Sequence, residues 1–164
     1  MARLAALGIE VDLVDGWEGR IFRRDHAGLD EPAPVTQLAT FALPPDVADF
    51  GGGLPASMRA TDIFAVLFEY GPESVGAPLF AAGRWPRTLT TSDFHPYTLR
   101  RGVAGQSGTQ WFFTEQQRPF TLYVVLGSHA LRPQLVPRVN RILERVTIHP
   151  AEARSAAGGA AGDR

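Results

Sequence analysis

Apolar and polar residues alternate first at Ile9, Val11 and Leu13, separated by Glu10 and Asp12. A period of two predicts a half-buried strand. Asp15-Gly16 follows as a hairpin signal, and Trp17 to Arg24 reads as the return strand. Trp17 and Ile21 fall on one side of it, Arg20 and Arg24 on the other, which places it at a sheet edge. Val35 to Leu43 is a third strand, stopped by Pro44-Pro45. Ile63 to Tyr70 is apolar on both faces, the pattern of a central strand covered on both sides. Tyr97 to Val103 is a further candidate strand. Gln110 to Thr114 and Pro119 to Gly127 form a second hairpin around Glu115-Gln116-Gln117-Arg118, with its second strand again central. Trp17 and Trp111, being in strands, are assigned to the core.

Only one segment has a clear helical period. Leu135, Val139, Ile142 and Val146 recur at i, i+4, i+7 and i+11, and Val136 and Leu143 widen the stripe. Pro137 has no amide donor and belongs in a first turn, so the helix is expected to start near Gln134. Thr147 to His149 closes the pattern as a last strand. Between these elements lie polar or Gly/Pro-bearing stretches. They are His26 to Pro34, the segment after Pro45 with a short turn at Val47 to Phe50 and then Gly51-Gly52-Gly53, a turn within Ser57 to Asp62, and the long loop Gly71 to Asp93. The expected fold is a single α+β domain over residues 7–149. It has a mainly antiparallel sheet, an amphipathic C-terminal helix packed on it, and long loops or short helices over the other face. Residues 150–164, Ala/Gly-rich, carry the composition of a disordered tail.

This element order resembles the PsbP-like superfamily, which includes photosystem-associated extrinsic subunits, bacterial DcrB-like proteins and secretion-effector chaperones. The resemblance is carried by Ile9 to Leu13 with Asp15-Gly16-Trp17, and by Phe120 to Leu126, the Leu135 to Val146 helix and Thr147-Ile148. It implies an antiparallel sheet with helices on both faces, and a binding or assembly role rather than catalysis. It carries over no site residue.

Composition narrows the chemistry. The 164 residues contain no cysteine, and every one of the 16 basic residues is Arg. Thiol nucleophiles, Cys-ligated metals, Schiff bases and a P-loop lysine are thereby excluded. Lysine-free, Arg- and Ala-rich usage matches codon bias in a high-GC bacterial genome. The 17 acidic residues leave a net charge of −1, without the basic excess of a nucleic-acid binder. No apolar run is long enough for a membrane span, and the N-terminal stretch lacks a signal-peptide pattern, so no membrane association and a cytoplasmic location are expected.

Several motifs imitate catalytic ones. Asp49-Phe50-Gly51 copies a kinase triplet without the rest of that signature. Gly105-Gln106-Ser107-Gly108 resembles a chymotrypsin-like serine motif, but the surroundings of His26 do not match that family's histidine. The histidines at 26, 95, 129 and 149 have no metal-ligand spacing among themselves, so no metal and no cofactor is expected.

The candidate partner-binding residues are Trp85 and Arg84 in the long loop, and Arg138, Arg141 and Arg145 on the polar side of the helix. A loop Trp beside Arg is an interface composition when exposed, and otherwise a loop anchor. The Arg stripe suits an acidic partner or simply a solvated face. The leading expectation is therefore a protein partner of unknown identity, with no nucleic acid. Two alternatives stand beside it. One is a small hydrolase-like enzyme with Asp93, His95 and His26 assembled from loops. The other is a carrier of a small apolar ligand between sheet and long loop.

Overall fold

The alternation at Ile9–Leu13 does build a strand, but its neighbours are not those of a simple hairpin. The computed structural model describes residues 2–24, 33–45, 50–81 and 83–151. In chain order the elements are β1 (Ala2–Ala6), β2 (Ile9–Leu13), β3 (Glu18–Arg24), β4 (Ala33–Ala39), β5 (Ile63–Glu69), α1 (Pro78–Ala81), β6 (Ser107–Glu115), β7 (Arg118–Leu126), α2 (Arg132–Leu143) and β8 (Val146–Ile148). Single 3-10 turns occupy Leu54–Ser57, Pro72–Ser74, Thr91–Asp93 and Pro96–Thr98. Two antiparallel sheets result. One has three strands in the order β1-β2-β8, the other five in the order β3-β4-β5-β7-β6. The expected α+β architecture is what forms.

Core placement follows from the strand period. Leu38, Ala65 and Val124 stand in register on one face of the five-stranded sheet. They share one apolar cluster with Ile9, Val11 and Leu13 of β2, with Val146 and Ile148, and with Leu135, Val136, Val139, Ile142 and Leu143 of α2. Full burial of a side chain of this size is worth about 1.5–3 kcal/mol, so the α2 stripe alone is a major source of cohesion. On the opposite face Val35, Phe64, Val66 and Phe68 pack beneath Phe41, Leu43, Phe50, Leu54 and Met58. Both faces of β5 and β7 are thus covered, as their two-sided apolar sequences require, and β3 is an edge strand.

Five local expectations are corrected. Asp15-Gly16 does not close a hairpin: β2 pairs with β1 and β8, while β3 pairs with β4. The Trp17 N–H donates to the Val14 carbonyl at 3.0 Å, and Gly16 at φ +83° lets this tight turn carry the chain from the small sheet to the large one. Ala2–Ala6, to which the sequence pattern gives no element, is a strand, joined to β2 through Leu7 (φ 55°) and Gly8 (φ 73°). Tyr97 to Val103 is not a strand. Pro96 opens a 3-10 turn, and the Arg100 N–H is spent on the Tyr123 hydroxyl at 2.9 Å rather than on a ladder. The helix starts at Arg132, so Pro133 takes the first turn and Pro137 lies inside. Both prolines are exposed, so the carbonyl that Pro137 leaves unpaired is on the solvent side. Trp111 is the fifth, treated below. The proposed turn at Val47 to Phe50 falls almost wholly outside the described residues, as does nearly all of the tail.

The most consequential internal contact comes from Arg118, which sequence pattern places in the β6–β7 turn. The turn is only Gln116 and Gln117, at φ 54° and 62°. Arg118 opens β7 and is 1% exposed. Its Nε donates to Glu69 Oε1 at 3.0 Å and its Nη2 to Glu69 Oε2 at 2.7 Å. The remaining hydrogens reach the carbonyls of Gly8 (3.0 Å), His149 (2.8 Å) and Leu7 (2.9 Å). A guanidinium has five N–H donors, and here each has an acceptor. One side chain ties β5 and β7 to the β1–β2 turn and to the end of β8.

Candidate functional site

The long loop is pinned to the sheet. Trp85 is 8% exposed, with its ring centroid 5.2 Å from that of Phe113. Leu89 and Phe94 are buried in the same cluster. Trp85 therefore takes the anchoring outcome, and these three side chains pack the long loop onto the core. Arg84, beside it, is exposed.

Helix α2 splits the expected Arg stripe. Arg138 Nη1 donates to the Thr61 carbonyl at 3.1 Å, and Arg141 is exposed. Arg145 lies past the helix end, where its carbonyl accepts the Asp12 N–H at 3.2 Å. Arg132, in the first turn, donates to the carbonyls of His129, Thr91 and Phe94. Backbone carbonyls, rather than acidic side chains, accept from Arg132 and Arg138.

Two of the candidate catalytic groups, Asp93 and His95, flank Phe94 and serve the local backbone. Asp93 Oδ2 accepts from the Thr90 N–H (2.7 Å) and lies 3.1 Å from its hydroxyl, so this carboxylate closes a capping box. His95 holds a strand edge through its backbone, and His26 and Asp49 lie outside the described residues. Ser107 is not on an exposed turn but within β6, at 0% exposure. Its Oγ, like Gln106 Oε1, bonds no described group. Among the described residues no three His, Asp or Glu converge as a metal site, and no helix is long and apolar enough to cross a membrane.

Two surface pockets carry charge. One, of about 310 Å³, is lined by Ala5 to Glu10 and His149. There the Arg3 guanidinium hydrogen-bonds Glu10 and, helped by His149 Nε2 at 3.4 Å, holds its carboxyl below the usual range against a smaller opposing effect of burial. The other, of about 260 Å³, is lined by Arg20, Phe22, Arg24 and Pro45. Arg20 is committed there to Gln37 Oε1 (2.8 Å) and the Pro45 carbonyl (3.2 Å).

Strand β6 is where exposed apolar surface gathers. Among the described residues the exposed large apolar side chains are Tyr97 (97%), Leu79 (58%) and Trp111 (37%). Trp111 lies in the middle of β6, one of the two edge strands of the five-stranded sheet. It was assigned to the core; strand period places it on a face, but at the outermost strand that face is only partly covered. Tyr97 sits in the 3-10 turn packed beside β6, and Leu79 in α1, which also packs beside it. Helix α1 docks through Phe80, whose ring is 5.8 Å from Phe112 and 5.1 Å from Tyr70, and this leaves Leu79 to solvent.

The backbone of this edge is only partly capped. At one end Gly108 and His95 exchange N–H···O bonds of 3.0 and 2.9 Å. At the other, the Thr114 N–H reaches the Gly83 carbonyl at 3.4 Å. Even-numbered residues therefore point their backbone groups outward. Gly83 lies so close that a Cβ there would be 2.0 Å from the Phe112 carbonyl oxygen, which is thereby covered. The N–H and C=O of Gln110 and the N–H of Phe112 face outward with no described backbone partner. Composition flagged the loop around β6; Trp111, Tyr97 and Leu79 had no signal in the sequence that separated them from core residues.

Comparison of the chain with protein-family models, with curated proteins and with solved structures finds no match in any of the three.

Proposed function

We propose that this chain is a protein-binding or assembly domain that docks its partner along β6. One observation carries the reading: Tyr97, Leu79 and Trp111, the exposed large apolar side chains among the described residues, belong to three different elements that meet at one strand. Scattered singly, such residues need no explanation; carried by elements that pack on one edge strand, they suit an interface along it. The resemblance of the element order to the largely non-enzymatic PsbP-like superfamily supports the same role, and the lysine-free, Arg- and Ala-rich composition suits a high-GC bacterium. The hydrolase alternative of Asp93, His95 and His26 finds less support, since the Asp93 carboxylate is engaged in its turn.

Site-specific photo-crosslinking in the native cells tests the proposal. A benzophenone amino acid in place of Tyr97 is expected to give a discrete adduct that Trp111→Asp abolishes. The same probe in place of Arg141, on α2, is expected to give none. No adduct from position 97, or the same adduct from both positions, overturns it.

A further inference from the structure

We infer that the open stretch of β6 accepts an extended, acidic peptide segment as an added strand. The inference rests on the partner-binding reading and specifies its chemistry. Sheet edges expose unpaired backbone groups, and proteins usually blunt them with charge, proline or a covering segment. This edge is blunted only at its ends, by His95 at Gly108 and by Gly83 at Thr114. Between them Gln110 offers a donor and an acceptor, and Phe112 a donor. Addition of a strand to such an edge is an established mode of peptide recognition, with backbone bonds giving affinity and alternate side chains giving specificity. Trp111 is exposed on one face of this edge, and α1, which carries Leu79, docks through Phe80 on Phe112 of the other, so the alternate side chains of an added strand have an exposed apolar group on either face.

Charge identifies the occupant. The segment from residue 78 to 106, which packs on this edge through α1, Gly83, His95 and the Pro96–Thr98 turn, contains Arg84, Arg87, Arg100 and Arg101 against Asp93 as its only acidic residue, in a chain whose net charge is −1; Arg100 is stacked over the Phe50 ring at 3.8 Å. Asp93 is already committed to Thr90. Arg84, Arg87 and Arg101 are exposed and have no ion pair among the described residues. An acidic strand therefore meets a basic rim, which favours its encounter and disfavours a basic one. A second copy fits poorly. Pairing β6 with β6 about Trp111 brings Gly108 of one copy opposite Thr114 of the other, where His95 and Gly83 already occupy both edges.

The full chain, labelled with nitrogen-15, is titrated with two blocked peptides, acetyl-Glu-Val-Glu-Val-Glu-amide and its counterpart with Lys for Glu. The acidic peptide is expected to shift the Gln110 and Phe112 amides saturably, to slow their hydrogen exchange, and to bind more weakly as salt rises. Gln110→Pro removes an outward N–H that no internal bond uses, and is expected to abolish binding. R84E combined with R101E is expected to weaken it about tenfold. If Gln110→Pro does not fold, the acidic peptide with N-methylated alternate amides makes the same test without altering the protein. Equal binding of both peptides, absence of binding, indifference to both backbone blocks, or a β6-dependent dimer in sedimentation overturns the inference. A crosslink from position 97 alongside any of these results leaves the partner-binding reading standing and removes only the acidic-strand mode.

Discussion

Replacing Arg118 with Met keeps most of the side chain's length and removes its five donors. Glu69, 3% exposed, then loses both bonds of the bidentate pair, and the carbonyls of Leu7, Gly8 and His149 lose theirs. Breaking a buried ion pair from one side costs about 3–5 kcal/mol, because the remaining charge stays in a low dielectric. The carbonyls lie near the β1–β2 turn and can recover some water, so together they add about 1–2 kcal/mol. The expected loss is about 4–6 kcal/mol, against a total of about 5–15 for a domain of this kind. Combining Arg118→Met with Glu69→Leu removes the stranded charge. Its cost is expected to fall to about 1–3 kcal/mol, well below the sum of the two single variants. Urea titrations of the wild type, both single variants and the double one, followed by tryptophan fluorescence, measure the cycle, provided the slopes agree. Arg118→Lys extends it if Arg118→Met does not fold, since a point charge with three donors cannot reproduce the bidentate fork. A cost for Arg118→Met under about 1 kcal/mol, or strict additivity in the double variant, refutes the claim that this cluster joins the two sheets.

The two loop and edge tryptophans are expected to exchange the roles that sequence assigns them. Trp85→Ala should cost about 3–5 kcal/mol through the cavity left against Phe113, whereas Trp111→Thr should cost about 1 kcal/mol or less; thermal or urea unfolding compares them. The Glu10 carboxyl, held below its ordinary 4.5 chiefly by its hydrogen bond to Arg3, binds protons more weakly in the folded chain than in the unfolded one. Its contribution to stability is therefore present above about pH 4.5 and is lost as pH falls through the folded midpoint. Arg3→Ala should raise that midpoint toward 4.5, read as the carboxyl carbon shift in an NMR titration, and an unmoved midpoint contradicts the assignment of its cause.

Edge and centre were legible for the strands with unambiguous patterns. The two-faced apolar runs of β5 and β7 had to be central, and the mixed faces around Arg20 and Arg24 had to be peripheral, because burial is paid for in apolar area on whichever faces are covered. The α2 stripe was equally plain, although Pro133 rather than Pro137 opens the helix. Local signals failed where a turn residue does not say which strands it joins. Asp15-Gly16 makes a tight turn, but the turn leads between sheets, since Ala2–Ala6 and Val146–Ile148 take both edges of β2.

The candidate site divides in the same way. The Arg/Trp loop drew attention by composition, and its Arg84 and Arg87 are exposed, yet Trp85 itself anchors the loop. Arg138 and Arg141 remain on a different element. Composition, charge, strand period and the helical stripe are properties of neighbouring residues, and the sequence by itself determined those: an antiparallel α+β chain without thiol or lysine chemistry. Tertiary structure alone decided which edge stays open, that Trp111 rather than Trp85 is exposed, and that Arg118 is buried with every donor matched. Each of these depends on what a distant segment brings into contact, as Gly83 and His95 do at β6 and as Glu69, Leu7, Gly8 and His149 do around one guanidinium.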